Sequence, residues 1–224
     1  MSTPDRPATP RRATPRYGGY VGLLALVIVA LITINTIVTK PNGAKGLAPG
    51  ERMPPFAVPL ALGDMVGDAD TARNADEGAA GRVPACSERG PQILNICQLY
   101  EQRPVLLALF VDGGSCPAVL SDMQALAGSF PDVRFAAVAI KGGRSSVRRL
   151  IRRRGLTFPV GLDSDGALAA LYKVATCPQL TFAYPGGEVQ SPAILTHPAR
   201  ATLRARLAAL EAAARDRESK RQAR

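Results

Sequence analysis

The first and longest apolar run of the chain extends from Tyr20 to Thr39, YVGLLALVIVALITINTIVT, with no formal charge and Asn35 as its only strongly polar side chain. A helix needs about 20 such residues to cross the hydrocarbon core of a bilayer, so a transmembrane helix over 20–39 is expected. Lys40 to Pro55 is rich in Pro, Gly and Lys and has no hydrophobic period, the pattern of a linker. An insertion is expected over 63–97, because Gly63 to Gly81 consists largely of Gly, Ala, Asp and Asn and offers little to a core.

Beyond it the pattern changes. Val105 to Val111 is continuously apolar between Pro104 and Asp112-Gly113-Gly114, as a strand buried on both faces should be, and Phe135 to Ile140 repeats the pattern. Between them Leu120, Met123, Leu126, Ala127 and Phe130 recur at three- and four-residue spacing, so strand, helix, strand with a parallel crossover is predicted. A second helix should run from about Ser145 to Arg154 and stop at Gly155. A short helix around Gly166 to Tyr172 should lead into two strands, Gln179 to Tyr184 and Glu188 to Gln190, joined at Pro185-Gly186-Gly187 as a hairpin. A last helix from near Pro198 would bury Leu203, Leu207 and Leu210. The predicted order is β-α-β-α-β-β-α, an α/β domain over 56–212 with a basic tail over 213–224.

Charge sharpens the membrane reading and removes another. The net charge of +10 is spread over the first sixteen residues, one central stretch and the C-terminal tail, so no single nucleic-acid face results. Aromatic residues make up 5% of the chain and Trp is absent, which leaves no stacking platform for single strands. No nucleic-acid partner is expected. A signal peptide would have a shorter apolar core, of about 7 to 15 residues, and a small-residue cleavage site; the run here is longer, and Gly46 and Ala48 make a mediocre site. An uncleaved anchor is therefore expected, in contact with membrane lipid through residues 20–39. The flanks, Arg6, Arg11, Arg12 and Arg16 against Lys40, Lys45 and Arg52, give only a slight positive-inside bias. Paired cysteines favour an oxidising compartment for the domain, which puts residues 1–19 in the cytoplasm as a disordered tail and the chain after about Lys40 outside.

Four cysteines are too few to build the fold, so their placement matters more than their number. Cys86 and Cys97 flank a Gly90-Pro91 turn at a spacing that suits a local structural disulfide; two free thiols or half of a metal site are the alternatives. A lone His197 and no further cysteine nearby leave a zinc site short of ligands, so no metal and no cofactor is expected. Cys116 stands just before a predicted helix, with Pro117 suited to the first helical position. Unpaired backbone N–H groups and the helix dipole there would lower a thiol's pKa and make Cys116 a nucleophile. A small buried hydrophobe is the other reading of the same residue.

That element order, with Cys116 at the first strand-to-helix junction and Cys177-Pro178 just before the hairpin, resembles the thioredoxin superfamily, and within it the membrane-anchored redoxin group of bacterial thiol-disulfide oxidoreductases. The matching pieces run from about Gly50 to Leu210. Gly50 to Phe56 resembles the family's entry strand, Leu109-Phe110-Val111 its central strand, Gly155 to Val160 its approach to the short helix, and Cys177 to Phe182 its cis-proline segment. The resemblance implies a thioredoxin-like mixed sheet flanked by helices, preceded by the transmembrane helix. It also implies a cis Pro178 that brings Cys177 beside Cys116. The chain departs from the family at one telling point: Gly114-Ser115-Cys116-Pro117-Ala118-Val119 has Val119 where full oxidoreductases carry the second cysteine of Cys-x-x-Cys.

The function expected from this resemblance is thiol-disulfide exchange with protein thiols or disulfides, with Cys116, Cys177 and Pro178 as the catalytic set. The alternative is a non-catalytic peptide-binding or chaperone-like module on the same frame. A peroxidase would want Pro and Thr or Ser before the cysteine, where Leu109 and Gly113 stand, and a copper carrier would want a cysteine at Leu120. Nothing in the sequence brings His197 to Cys116 as a base. Arg148, Arg149, Arg152, Arg153 and Arg154 are expected to form a solvated basic face, with anionic lipid as the sharper alternative.

Overall fold

The computed structural model describes residues 18–38, 45–65 and 84–223. The chain divides into two units, Met1–Gly43 and Ala44–Arg224.

The first unit contains α1 (Gly18–Val38), a 21-residue helix without acidic or basic residues in its terminal turns. Its described side chains, Tyr20 to Leu31, are all exposed and nearly all apolar. Among the described residues no helix is long and apolar enough to cross a membrane. The stretch from Tyr20 to Leu31 is by itself shorter than the roughly 20 residues a span requires.

The second unit is built on a four-stranded sheet in the order β5-β4-β3-β6. The central strand β3 (Val105–Val111) pairs in parallel with β4 (Arg134–Lys141), which pairs in parallel with β5 (Val160–Leu162). On its other side β3 pairs antiparallel with β6 (Gln179–Ala183). Because side chains alternate across a strand, β3 feeds two cores. Leu106, Ala108 and Phe110 join a cluster with Leu120, Met123 and Leu126 of α3 (Val119–Ala127), Val147, Leu150 and Ile151 of α4 (Arg144–Arg154), and Leu203, Leu207 and Leu210 of α6 (Arg200–Gln222). Val105, Leu107 and Leu109 join a second with Met53, Phe56, Leu94, Ile96 and Tyr172. Gly155 ends α4 with φ +57°, a left-handed value that favours a residue without Cβ.

Several expectations need correction. The segment expected as a linker is packed from Gly46 onward: Gly46, Leu47 and Met53 are buried, Met53 N–H donates to the Gly187 carbonyl, and Glu51 pairs with Lys173 at 2.9 Å. The end of the expected insertion is part of the fold. There β2 (Ile93–Asn95) pairs antiparallel with β1 (Ala57–Pro59) and runs into α2 (Ile96–Tyr100). This small sheet meets the large one where Leu60 bridges Gly161, at a contact so close that a Cβ on Gly161 would lie 2.4 Å from Val58. The expected hairpin keeps its turn, but its second arm makes only isolated bridges, Val189 to Ala183 and Glu188 to Arg52, and a further one joins Leu180 to Ile194 beyond the arm. That arm is shared: Val189 also exchanges backbone bonds with Glu51 and Gly50, and Pro192 can donate none. Finally, α6 runs on through Gln222, across the boundary at 212–213 where a separate basic tail was expected, with the Arg217 guanidinium 3.7 Å from the centre of the Tyr184 ring and 2.8 Å from Glu188.

Candidate functional site

At its C-terminal end β3 gives way to Gly113, Gly114 and Ser115, all exposed. The chain then turns into a 3-10 turn, Cys116–Ala118, that leads directly into α3. Pro117 occupies the start of that turn, where a missing N–H costs nothing. From the opposite direction the loop after α5 (Ala167–Leu171) reaches Cys177, whose peptide bond to Pro178 is cis. Cys116 and Cys177, 61 positions apart in sequence, are joined in a disulfide with their Cα atoms 5.4 Å apart. Cys116 is buried and Cys177 half-buried, while Ala175 and Thr176 beside it are exposed, so the bridge lies at the rim of the domain. Val119 is fully buried in the core cluster that also contains Cys116.

The sulfurs share one donor. The Val111 N–H lies 3.0 Å from Cys177 Sγ and 3.2 Å from Cys116 Sγ. No Lys, Arg or His side chain bonds either sulfur among the described residues. His197, considered above as a base, is engaged elsewhere: its Nε2 is 2.7 Å from Asp122 Oδ2 on α3, and Arg200 Nε donates to the other oxygen at 2.7 Å. Burial alone would raise the Asp122 pKa, but the hydrogen bonds from His197 and Arg200 outweigh it and hold the carboxyl below its usual range. A second carboxylate goes the other way. Asp163, at the end of β5, is pushed up to about 7 by burial and by its side-chain bond with Asp165, against the pull of the Leu168 and Gly166 amides that it caps.

Cys86 and Cys97 are also joined, with Cα atoms 5.4 Å apart, at a distance in sequence from the first pair. Asn95 secures that loop from both sides. Its Oδ1 accepts from the N–H groups of Cys97 and Gln98 at the start of α2, and its Nδ2 donates to the carbonyls of Ala85 and Glu88. The arginines of α4 divide by role. Arg144 and Arg148 donate to the carbonyls of Leu60, Ala61, Gly63 and Met65 and so anchor the loop after β1, and Arg154 donates to Ser121; only Arg149, Arg152 and Arg153 form an exposed basic face. Among the described residues no group of His, Cys, Asp and Glu is placed to hold a metal ion. Sequence reasoning missed Val111, Asp122, Asp163 and Arg144. None of the four carried a signal in the sequence itself, because each acts through a neighbour that only the fold supplies.

No family model matches the chain. Thiol-disulfide oxidoreductase ResA of Oceanobacillus iheyensis is 34% identical over 77 residues, which cover 34% of this chain and 40% of the relative. The chain thus aligns with two fifths of the curated relative that it matches. A solved structure described as thiol:disulfide interchange protein DsbE from Chlorobium tepidum superimposes with a TM-score of 0.55 at 16% identity, over 73% of this chain and 98% of that one. Peroxidoxin BcpB from Mycobacterium tuberculosis does so with a TM-score of 0.54 at 14% identity, over 74% and 97%. At such identities the structural likeness establishes the fold. The chain therefore has a thioredoxin-like fold and, over 77 residues, sequence similarity to a thiol-disulfide oxidoreductase.

Proposed function

We propose that this protein exchanges disulfides with protein substrates, using Cys116 and Cys177 as its redox pair, from an extracytoplasmic position on a membrane in which residues 20–39 anchor it. The observation that carries the exchange reading is the Cys116–Cys177 bridge at the domain rim, beside the cis Pro178. In the reduced protein the Cys116 thiolate attacks a substrate disulfide. A Cys116–substrate bond forms, and the substrate's other sulfur leaves with the electron pair. Cys177, having lost its proton, then attacks Cys116; the bridge closes and the substrate's second sulfur leaves as a thiolate. Ala175 and Thr176, just before the bridge, are exposed and leave it approachable by an extended peptide.

Trapping tests this order. Cys177→Ser should accumulate long-lived mixed disulfides on Cys116, and Cys116→Ser should abolish adducts. Unchanged exchange kinetics in Cys177→Ser would refute the paired mechanism, and no exchange in the unmodified protein would favour the non-catalytic binding module. The anchor rests on α1, whose described side chains form an apolar surface on all sides. The protein should stay in the membrane pellet after alkaline carbonate washing, and a reporter fused after Arg224 should be active outside the cytoplasm. Reporter activity confined to the cytoplasm would reverse the topology.

A further inference from the structure

The register of the sheet explains why one backbone amide reaches both sulfurs. In the β3–β6 ladder Val105 lies opposite Ala183 and Leu109 opposite Gln179, so the same register carried two residues further puts Val111 opposite Cys177. The strand pairing stops short of that step, because β6 begins at Gln179 and the residue before it, Pro178, has no N–H and a cis bond. Successive amides on a strand point to opposite sides. The Asp112 N–H goes to the β4 side, donating to the Lys141 carbonyl at 2.9 Å. The Val111 N–H therefore faces the β6 side, where the ladder has ended, and what it meets there is sulfur: Cys177 at 3.0 Å and Cys116 at 3.2 Å.

We propose that the Val111 N–H is the donor that stabilises the sulfur anion formed during disulfide exchange, a backbone catalytic group for this site. This rests on the exchange function proposed above. When a thiolate of a protein dithiol attacks one sulfur of the Cys116–Cys177 bridge, a new disulfide forms to the substrate. The old S–S bond breaks and its electron pair stays on the other cysteine, which becomes a thiolate within reach of the amide. The second substrate thiolate then attacks the substrate's own sulfur, closes the substrate disulfide and releases the remaining cysteine as a thiolate. Being nearly equidistant from the two sulfurs, the donor serves whichever one leaves. A single N–H holds a single charge, so the reduced pair should titrate in two separate steps, the first below the ordinary thiol range and the second not.

The test replaces the amide at Val111 by an ester in the full-length chain, by incorporating the α-hydroxy analogue of valine, which deletes the N–H and keeps the side chain. Loss of a hydrogen bond to a charged sulfur should slow reaction of the oxidised protein with dithiothreitol roughly tenfold or more and raise the first thiol pKa, read by thiolate absorbance, by about one unit. The Cys86–Cys97 bridge should survive unchanged, which separates this effect from general loosening. An ester protein with the same thiol pKa and the same rate overturns the proposal. If the ester protein does not fold, the unmodified reduced protein supplies the decision: its Val111 amide proton should move downfield through the pH range of the first thiol step, and an amide that does not titrate overturns the proposal. These readouts use a small dithiol and thiolate absorbance, so they hold even if no protein substrate is turned over, an outcome that would count against the proposed function alone.

Discussion

Thr181 is a residue whose chemistry and setting disagree. It lies in the middle of β6, fully buried, and its hydroxyl finds no hydrogen-bond partner among the described residues; the Gln179 Oε1 two residues earlier likewise finds none there, although its Nε2 reaches the Tyr172 carbonyl at 2.9 Å. A buried hydroxyl without a partner forfeits its hydration and gains nothing in return. Thr181→Val keeps the shape and removes the polar atom, so it should stabilise the domain by about 1 kcal/mol in urea denaturation. A loss of stability would mean that the hydroxyl is satisfied after all. Residues of this kind mark the limit of sequence reading. Cys116 could be singled out from its place before a predicted helix, whereas the cis Pro178 and its placing of Cys177 beside Cys116 came only from the resemblance to the thioredoxin superfamily. Val111 was not legible, since its contribution is an amide every residue possesses, made special only by where the strand pairing ends. Asp122 was equally silent until α3 and the start of α6 brought it to His197 and Arg200.

At the scale of elements, the Cys86–Cys97 bridge and Asn95 act on the same short piece of chain, the entry into β2 and α2. Closing a loop of 11 positions contributes about 3 kcal/mol in the chain-entropy picture. Replacing both cysteines with Ser should lower the unfolding free energy by about 2 to 5 kcal/mol and leave the reactivity of the Cys116–Cys177 pair as it was. A matching loss of exchange would show that the two bridges are linked. The Asn95 bonds to Ala85 and Glu88 would still hold the loop, so the double variant should fold. The sequence did not reveal this region's elements, because β2 has three residues and α2 five, too few to display a period. Longer elements were readable: β3 and β4 as uninterrupted apolar runs, α4 from Val147, Leu150 and Ile151 with Gly155 as its stop, α6 from Leu203, Leu207 and Leu210. The second arm of the hairpin was misjudged because its edge is divided between β6 and residues 50–53, a competition that only the tertiary structure reveals.

For the molecule as a whole, two of the displaced carboxylates, Asp163 and Asp122, set opposing trends of stability with pH. Asp163 is held up to about 7 in the folded protein, first by burial and then by Asp165, against an ordinary value of 3.8. Below about pH 4 it is protonated in folded and unfolded chains alike, and no folding penalty arises. As pH rises from about 4 to about 7 the unfolded chain releases this proton while the folded chain retains it, so the unfolded state gains and stability falls; above about 7 the loss is complete. Asp122 has the opposite sign. Its folded pKa lies below its ordinary value, so its contribution is present above about pH 4 and disappears as pH falls through the folded pKa. The domain should thus be most stable on the acidic side of neutrality, near pH 4 to 5, and weaken toward pH 7. Urea midpoints at pH 4.5 and 7.5 would measure the slope. Asp163→Asn keeps an oxygen for only one of the two amides, which bond separate oxygens of Asp163, and removes the titrating proton, so whatever its overall stability its midpoint should change far less between those two pH values than that of the unmodified protein. An unmodified protein equally stable at both would mean that Asp163 ionises freely where it stands, and that the amides at the start of α5 outweigh its burial.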